Sequence, residues 1–307
     1  MRKLFSRKGI IMKSNATGRT TYVIAVGNQK GGVGKTTNCV NLATALAELG
    51  KKSLIWDLDS NCGSTRHFGI PEEAKFFGTF EVLAGRERAL DVIITGEEDD
   101  VNLPGNVHLI PARRNLEGID AVLRETDKFF VPRDILIEPM KELRGIYDYI
   151  FLDTAPHATT PTIASYIVAD YFILAAVPEH FAIDGLKAAL DDIRTAQRRG
   201  NSNLELLGVV LSCVNKRYRT AQLLTGYVQR TFTPEGERSL KFDTEISRAV
   251  AIPQSQQQGK SIFQMEPGHK VTEEYRQLAR EVEARIALFV ERKNNQTASR
   301  AGEAVNG

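Results

Sequence analysis

The stretch YVIAVGNQKGGVGKTT, residues 22–37, runs from a short apolar segment through a glycine-rich loop into residues that open a helix. That order narrows the possible folds sharply. Loops of the form G-x-x-x-x-G-K-[ST], fed by a strand and left by a helix, cradle phosphates. Their glycines bring backbone amides close to phosphate oxygens, and the helix start adds its positive dipole end. Gly34, Lys35 and Thr36 close the pattern here, but Gln29 stands where it wants glycine, and an additional Lys30 precedes Gly31 and Gly32. The loop assigns Gly31, Gly32, Val33 and Gly34 to the nucleotide and Lys35 to its β- and γ-phosphates. It assigns the Thr36 hydroxyl to Mg²⁺ and Thr37 to the α-phosphate.

A phosphate loop of this kind belongs on a parallel sheet, and the rest of the chain supplies one. Apolar runs rich in Val, Ile, Leu and Tyr at 22–27, 53–57, 107–111, 149–153, 171–177 and 206–214 read as strands buried on both faces. They alternate with helical patterns at 35–49, ended by Gly50, at 183–199, ended by Gly200, and at about 272–293. In the last, Tyr275, Leu278, Val282, Ile286 and Phe289 form one apolar stripe suited to packing on the sheet. The expected fold is α/β, a doubly wound, mostly parallel sheet with helices on both faces. A chain of 307 residues can bury such a core. Residues 1–20 read as a basic, flexible arm, 21–293 as the nucleotide-binding domain, and 294–307 as a polar, disordered tail.

The site also needs carboxylates where strands end. LIWDLDSN places Asp57 and Asp59 at the exit of the second strand, and YDYIFLDTAP places Asp153 at the exit of another. Asp153 is the natural holder of Mg²⁺, through water. Either Asp57 or Asp59 can touch the magnesium shell or orient water.

Together these motifs resemble the ParA/MinD family of deviant Walker ATPases, over roughly residues 20–290. KGGVGKTT is similar to the family's deviant Walker A motif, DLDSN to its Walker A′ motif D-x-D-P-Q and FLDTAP to its Walker B. VPEHFAIDGL, GVVLSCVNK and FDTEISRAVAIPQSQQQGKSIF resemble later segments in the same order, and the ParA branch of partition ATPases fits best. The resemblance implies a P-loop NTPase that uses ATP and Mg²⁺. It implies that Lys30 is the signature lysine that crosses a dimer interface to the partner's nucleotide, stabilising charge in trans as an arginine finger does. It implies that Asp59 positions the attacking water, so that Lys30, Lys35 and Asp59 are the catalytic set. Asn215 and the stretch 252–255, with Pro253, fall near the adenine by the same resemblance. Two departures stand out. Ser60-Asn61-Cys62-Gly63 replaces Pro-Gln-Gly-Asn, and Ala155-Pro156 replaces Pro-Pro.

The formal net charge of +2 does not announce a nucleic-acid partner, so such a role must come from local clustering. Basic residues do cluster late in the chain, at Arg198, Arg199, Lys216, Arg217, Arg219, Arg230, Arg238, Lys241 and Arg248. A solvated charged surface explains such a cluster equally well. The resemblance implies sequence-independent DNA binding, here through Lys216, Arg217, Arg219 and Arg248, by an ATP-dependent homodimer with a centromere-binding or cargo-adaptor partner. It also implies a cytoplasmic, nucleoid-associated protein that positions a plasmid, a chromosome or a protein cargo. A membrane-cycling relative of the MinD kind needs a lipid-binding end, and neither terminus is persuasive. An iron–sulfur enzyme on the same scaffold needs suitably placed cysteines, and Cys39, Cys62 and Cys213 show no such spacing. The five histidines show no ligand spacing either, although His157 follows the Walker B segment.

Overall fold

Successive side chains of a strand point to opposite faces, and the strands of this chain are apolar on both. Val23, Ala25, Leu54, Trp56, Ile150 and Leu152 face one layer of core, while Ile24, Val26, Ile55 and Phe151 face another. Only a sheet covered on both sides satisfies that pattern. The computed structural model describes residues 19–305 except 97–100, 127–128, 130, 179–181, 216 and 234–238, and it contains such a sheet. Strands β1 (Tyr22–Gly27), β2 (Ser53–Asp57), β3 (Val107–Ile110), β4 (Tyr149–Asp153), β5 (Tyr171–Ala176) and β6 (Glu205–Leu211) lie in the order β3-β2-β4-β1-β5-β6. Every pairing between them is parallel. All six expected strands form, with ends shifted by a few residues at β3, β5 and β6.

The helices are α1 (Lys35–Glu48), α2 (Gly63–His67), α3 (Thr79–Leu83), α4 (Ile119–Thr126), α5 (Ile137–Leu143) and α6 (Thr160–Val168). They continue with α7 (Ala182–Arg199), α8 (Arg219–Thr231), α9 (Ala251–Gln257), α10 (Ile262–Met265) and α11 (Lys270–Val305). Helices α5, α6 and α7 pack on the Val23 face, through Met140, Ala164, Leu186 and Ile193. Helices α1 and α11 pack together on the Ile24 face. Tyr275, Leu278, Val282 and Ile286 of the expected α11 stripe are buried there, and Phe289 is partly buried.

Helix α11 runs on to Val305, through most of the stretch expected to form a polar tail. A helix already formed propagates at little cost per residue, so the extension needs no apolar stripe of its own. Most of the expected N-terminal arm lies outside the described residues. Near its end Arg19 pairs with Asp148 at 2.7 Å, and at the first residue of the domain the Thr21 hydroxyl donates to the Tyr147 carbonyl at 2.6 Å.

Candidate nucleotide site

The phosphate loop leaves β1 at Gly27 beside the carboxyl end of β4, where Val26 is in register with Asp153. Asn28 anchors its entry, donating from Nδ2 to the Ala175 carbonyl at 2.7 Å and accepting from the Lys30 amide at 2.9 Å. Gln29, which occupies the glycine position of the pattern, is exposed and donates to Asp192 on α7 at 2.7 Å. The turn into α1 requires Gly34, whose φ of 91° lies in the left-handed region that side chains disfavour.

Gly31 and Gly32 are exposed and Val33 is buried beneath them. Lys35 is only 7% exposed and donates from Nζ to the Lys30 carbonyl at 3.2 Å. Burial pulls its pKa down, while the charges of Asp153 and Asp59 push back. A buried cation balanced in this way would gain from a phosphate anion. Thr36 and Thr37 are half-buried at the start of α1. The Thr37 hydroxyl accepts from Gln256 Nε2 at 3.1 Å, which ties the loop to α9.

Asp57 and Asp153 are register partners at the ends of β2 and β4, and both are fully buried. Burial raises the pKa of each, and the charge of Asp153 raises that of Asp57 further. Their hydrogen bonds separate their roles. Asp57 accepts from the Asp59 amide on Oδ1, at 3.2 Å. On Oδ2 it accepts from the Thr65 amide and hydroxyl, at 2.9 and 2.7 Å. Both oxygens are engaged in shaping the turn. Asp153 accepts from the Ser64 hydroxyl on Oδ2 at 2.7 Å, whereas its Oδ1 is buried with no hydrogen-bond partner of good geometry. The Thr36 hydroxyl is near enough to help hold the Asp153 charge. An unmet buried carboxylate oxygen beside a threonine hydroxyl and a buried lysine fits a hydrated divalent cation. Thr36 and Asp153 therefore suit Mg²⁺ better than Asp57 does.

Asp59 is 9% exposed and accepts on Oδ1 from the Asn61 amide and side chain, at 2.9 and 3.0 Å. Its charge acts on both Lys35 and Asp153, which places it beside the phosphate site. The next turn accounts for one residue of the departure from the motif, Gly63. It does not account for Cys62, which takes a left-handed φ of 55° that side chains disfavour. A β-carbon on Gly63 would lie 2.6 Å from the Thr36 hydroxyl, so this second position has no room for a side chain.

A family model described as "AAA domain" matches residues 21–206. The chromosome-partitioning ATPase Soj of Thermus thermophilus is 32% identical over 263 residues, covering 86% of this chain and 96% of that protein. The chain belongs to the ParA/MinD family of deviant Walker ATPases. It stands with the ParA-type partition members, since the chromosome partitioning protein ParA of Caulobacter vibrioides is 30% identical over 86% of this chain and 94% of its own length. A cobyrinic acid a,c-diamide synthase from Mycobacterium smegmatis, crystallised with ADP and magnesium, is 25% identical with a TM-score of 0.67. That match covers 85% of this chain and 93% of the synthase.

The ParA-type segments that follow β6 meet at one edge of the sheet. Val214 forms a parallel bridge with Ser247, and the Arg248 amide donates to the Val214 carbonyl at 3.0 Å. Arg217, Arg219 and Arg248, separated in sequence, are thus exposed on neighbouring segments. Lys216 lies outside the described residues. Asn215 caps the turn before α8, accepting from the Arg217 amide on Oδ1 at 3.1 Å, and Pro253 is exposed on α9.

Lys241 leaves the expected basic cluster. It is 5% exposed, pairs with Glu245 at 3.2 Å and donates to the Phe242 carbonyl. A charge inside a packed edge needs such a partner, and the sequence spacing does not reveal it. Cys39 and Cys62 are buried in the cores of opposite sheet faces and Cys213 is exposed. No group of three or more metal-ligating side chains occurs among the described residues. No helix among them is long and apolar enough to cross a membrane.

Sequence reasoning missed Asn28, Ser64, Thr65 and Asn38. Asn38 of α1 sits in a buried network, bonded to Ser212 at 3.1 Å and to the Tyr275 hydroxyl of α11 at 2.9 Å. Periodicity carries no signal for these residues. Only the juxtaposition of strand ends gives them partners.

Proposed function

We propose that this chain is a ParA-type ATPase that binds ATP with Mg²⁺, dimerises face to face on ATP and binds DNA without sequence preference. The observation that carries the nucleotide reading is the buried Asp153 Oδ1, unmet beside Thr36 and Lys35 at the mouth of the phosphate loop. Mg²⁺, when bound, neutralises charge on the β- and γ-phosphates. Lys35 holds the terminal phosphates, and Lys30 of the partner subunit adds a second cation only when two loaded copies face each other. Asp59 orients water for attack on the γ-phosphorus. The bond to the β,γ-bridging oxygen breaks, ADP leaves, and the water's proton passes to phosphate or solvent. Turnover is slow until a centromere-binding or adaptor protein stimulates it.

The DNA reading draws support from the bridge that gathers Arg217, Arg219 and Arg248 on one edge. Dimerisation doubles those contacts, so avidity makes DNA binding depend on ATP. The cargo is a plasmid or chromosome, and the protein works on the nucleoid in the cytoplasm. Retention on mixed-sequence DNA, with ATP or ADP at two salt concentrations, tests this. Binding that needs ATP, ignores sequence and weakens steeply with salt is expected. A wild-type protein that ignores DNA when loaded with ATP, or that sediments with anionic liposomes instead, would replace this reading with a membrane or protein-cargo one.

A further inference from the structure

Three consecutive residues at the start of α2 each touch a different side chain at the mouth of the phosphate loop. Gly63 lies against Thr36, so closely that a β-carbon would sit 2.6 Å from its hydroxyl. Ser64 donates its hydroxyl to Asp153 Oδ2 at 2.7 Å. Thr65 donates twice to Asp57 Oδ2 and is itself fixed, its hydroxyl accepting from the Ala112 amide at 2.8 Å. Ser64 is fully buried, so no water competes for that hydroxyl.

A carboxylate at a strand end can rotate about its terminal bond, and both oxygens accept equally well. One short bond to Oδ2 removes that freedom and leaves Oδ1 as the oxygen available to a metal-bound water. Groups that hydrogen-bond a metal-holding carboxylate set its orientation, and their loss commonly lowers metal affinity about 10- to 100-fold. We propose that Ser64 is a positioning residue for the metal site. It fixes the Asp153 carboxylate so that Oδ1 receives the hydrated Mg²⁺ that accompanies ATP. This rests on the reading of the loop as an Mg²⁺-ATP site, and it assigns a role to a residue outside the three Walker motifs.

Two variants separate positioning from packing. Ser64→Ala removes the donor, and Ser64→Cys keeps nearly the same volume with a much weaker one. The direct measurement is Mn²⁺ binding to the ATP-loaded protein by electron paramagnetic resonance, with Mn²⁺ in place of Mg²⁺. It is paired with ATP affinity by calorimetry in EDTA and in saturating Mg²⁺. Both variants should bind ATP in EDTA within about twofold of wild type and should lose about tenfold or more in Mn²⁺ affinity. Mn²⁺ affinity within about threefold of wild type, or equal losses of ATP affinity with and without metal, would overturn the role of Ser64 alone. Failure of both variants to fold would overturn it in favour of a purely structural hydroxyl. Wild-type protein whose ATP affinity is indifferent to Mg²⁺ would overturn the metal site itself, and Ser64 with it.

Discussion

Gly63→Ala should separate magnesium-dependent nucleotide binding from nucleotide binding as such. The added β-carbon would sit 2.6 Å from the Thr36 hydroxyl, 3.2 Å from its methyl and 3.4 Å from its β-carbon. An ordinary carbon–oxygen contact is about 3.3 Å, so the hydroxyl must give way by roughly 0.7 Å. Thr36 is β-branched and stiff about its first torsion, and rotating it only exchanges which of its two groups faces the new methyl. Overpacking of this kind costs about 1–3 kcal/mol. Free protein can relieve the strain by moving the hydroxyl away from Asp153, but the metal-loaded state needs the hydroxyl in place. The cost therefore falls on metal-dependent affinity, a loss of about 5- to 150-fold in Kd. Calorimetric titration with ATP, in EDTA and in excess Mg²⁺, measures it. The EDTA value should stay within about twofold of wild type while the gain on adding Mg²⁺ shrinks by the amount above. An undiminished Mg²⁺ gain would refute the placement of Thr36 in the metal shell.

Lys35→Ala should abolish ATP binding, and an affinity within about threefold of wild type, roughly 0.65 kcal/mol, would remove this loop from the nucleotide site. Arg248→Glu, or Arg217→Glu with Arg219→Glu, should weaken DNA retention severely and leave ATP-driven dimerisation intact; normal retention would point to a different DNA surface. Tyr275→Phe deletes a buried hydroxyl that donates to Asn38 and should lower unfolding free energy by about 1 kcal/mol in urea. No shift in the urea midpoint would show that Ser212 alone satisfies Asn38. His108 is pushed down to about 4, first by burial and then by the charge of Lys52. It therefore favours the folded state fully above about pH 6.5, and that contribution fades as pH falls towards 4, because the unfolded chain takes up the proton first. The raised Asp57 and Asp153 act in the opposite direction, so the comparison is with His108→Gln. That variant should lose less stability than wild type between pH 6.5 and 4.5, and parallel losses would contradict the argument.

Much of this was legible in the sequence, for a physical reason. Strands buried on both faces must be continuously apolar, and that requirement marks 22–27, 53–57 and 149–153 whatever surrounds them. The loop could be read because phosphate binding constrains backbone conformation, and glycine records such constraints directly. Helix α2 could not be read in the same way. Five residues are too few to show a period, and Ser64 acquires its meaning only because β4 ends beside β2. The Cys62-Gly63 pair looked like a departure from a motif. The structure explains Gly63, where a side chain has no space, and leaves Cys62 without a structural reason, since its left-handed φ is one that side chains disfavour. Lys241 misled for the converse reason, since its partner Glu245 lies one helical turn away by spacing but on no helix.

On the proposed reading, bound ATP brings two copies face to face with Lys30 acting across the interface. Molar mass by light scattering, for wild type and Lys30→Ala with Mg²⁺ and either ATP or ADP, tests it most directly. Wild type should double its mass with ATP and remain a single chain with ADP, while Lys30→Ala should bind ATP yet stay a single chain. Wild type that keeps single-chain mass at saturating ATP would rule out the ATP-driven dimer, and a Lys30→Ala variant that doubles as wild type does would remove Lys30 from its interface.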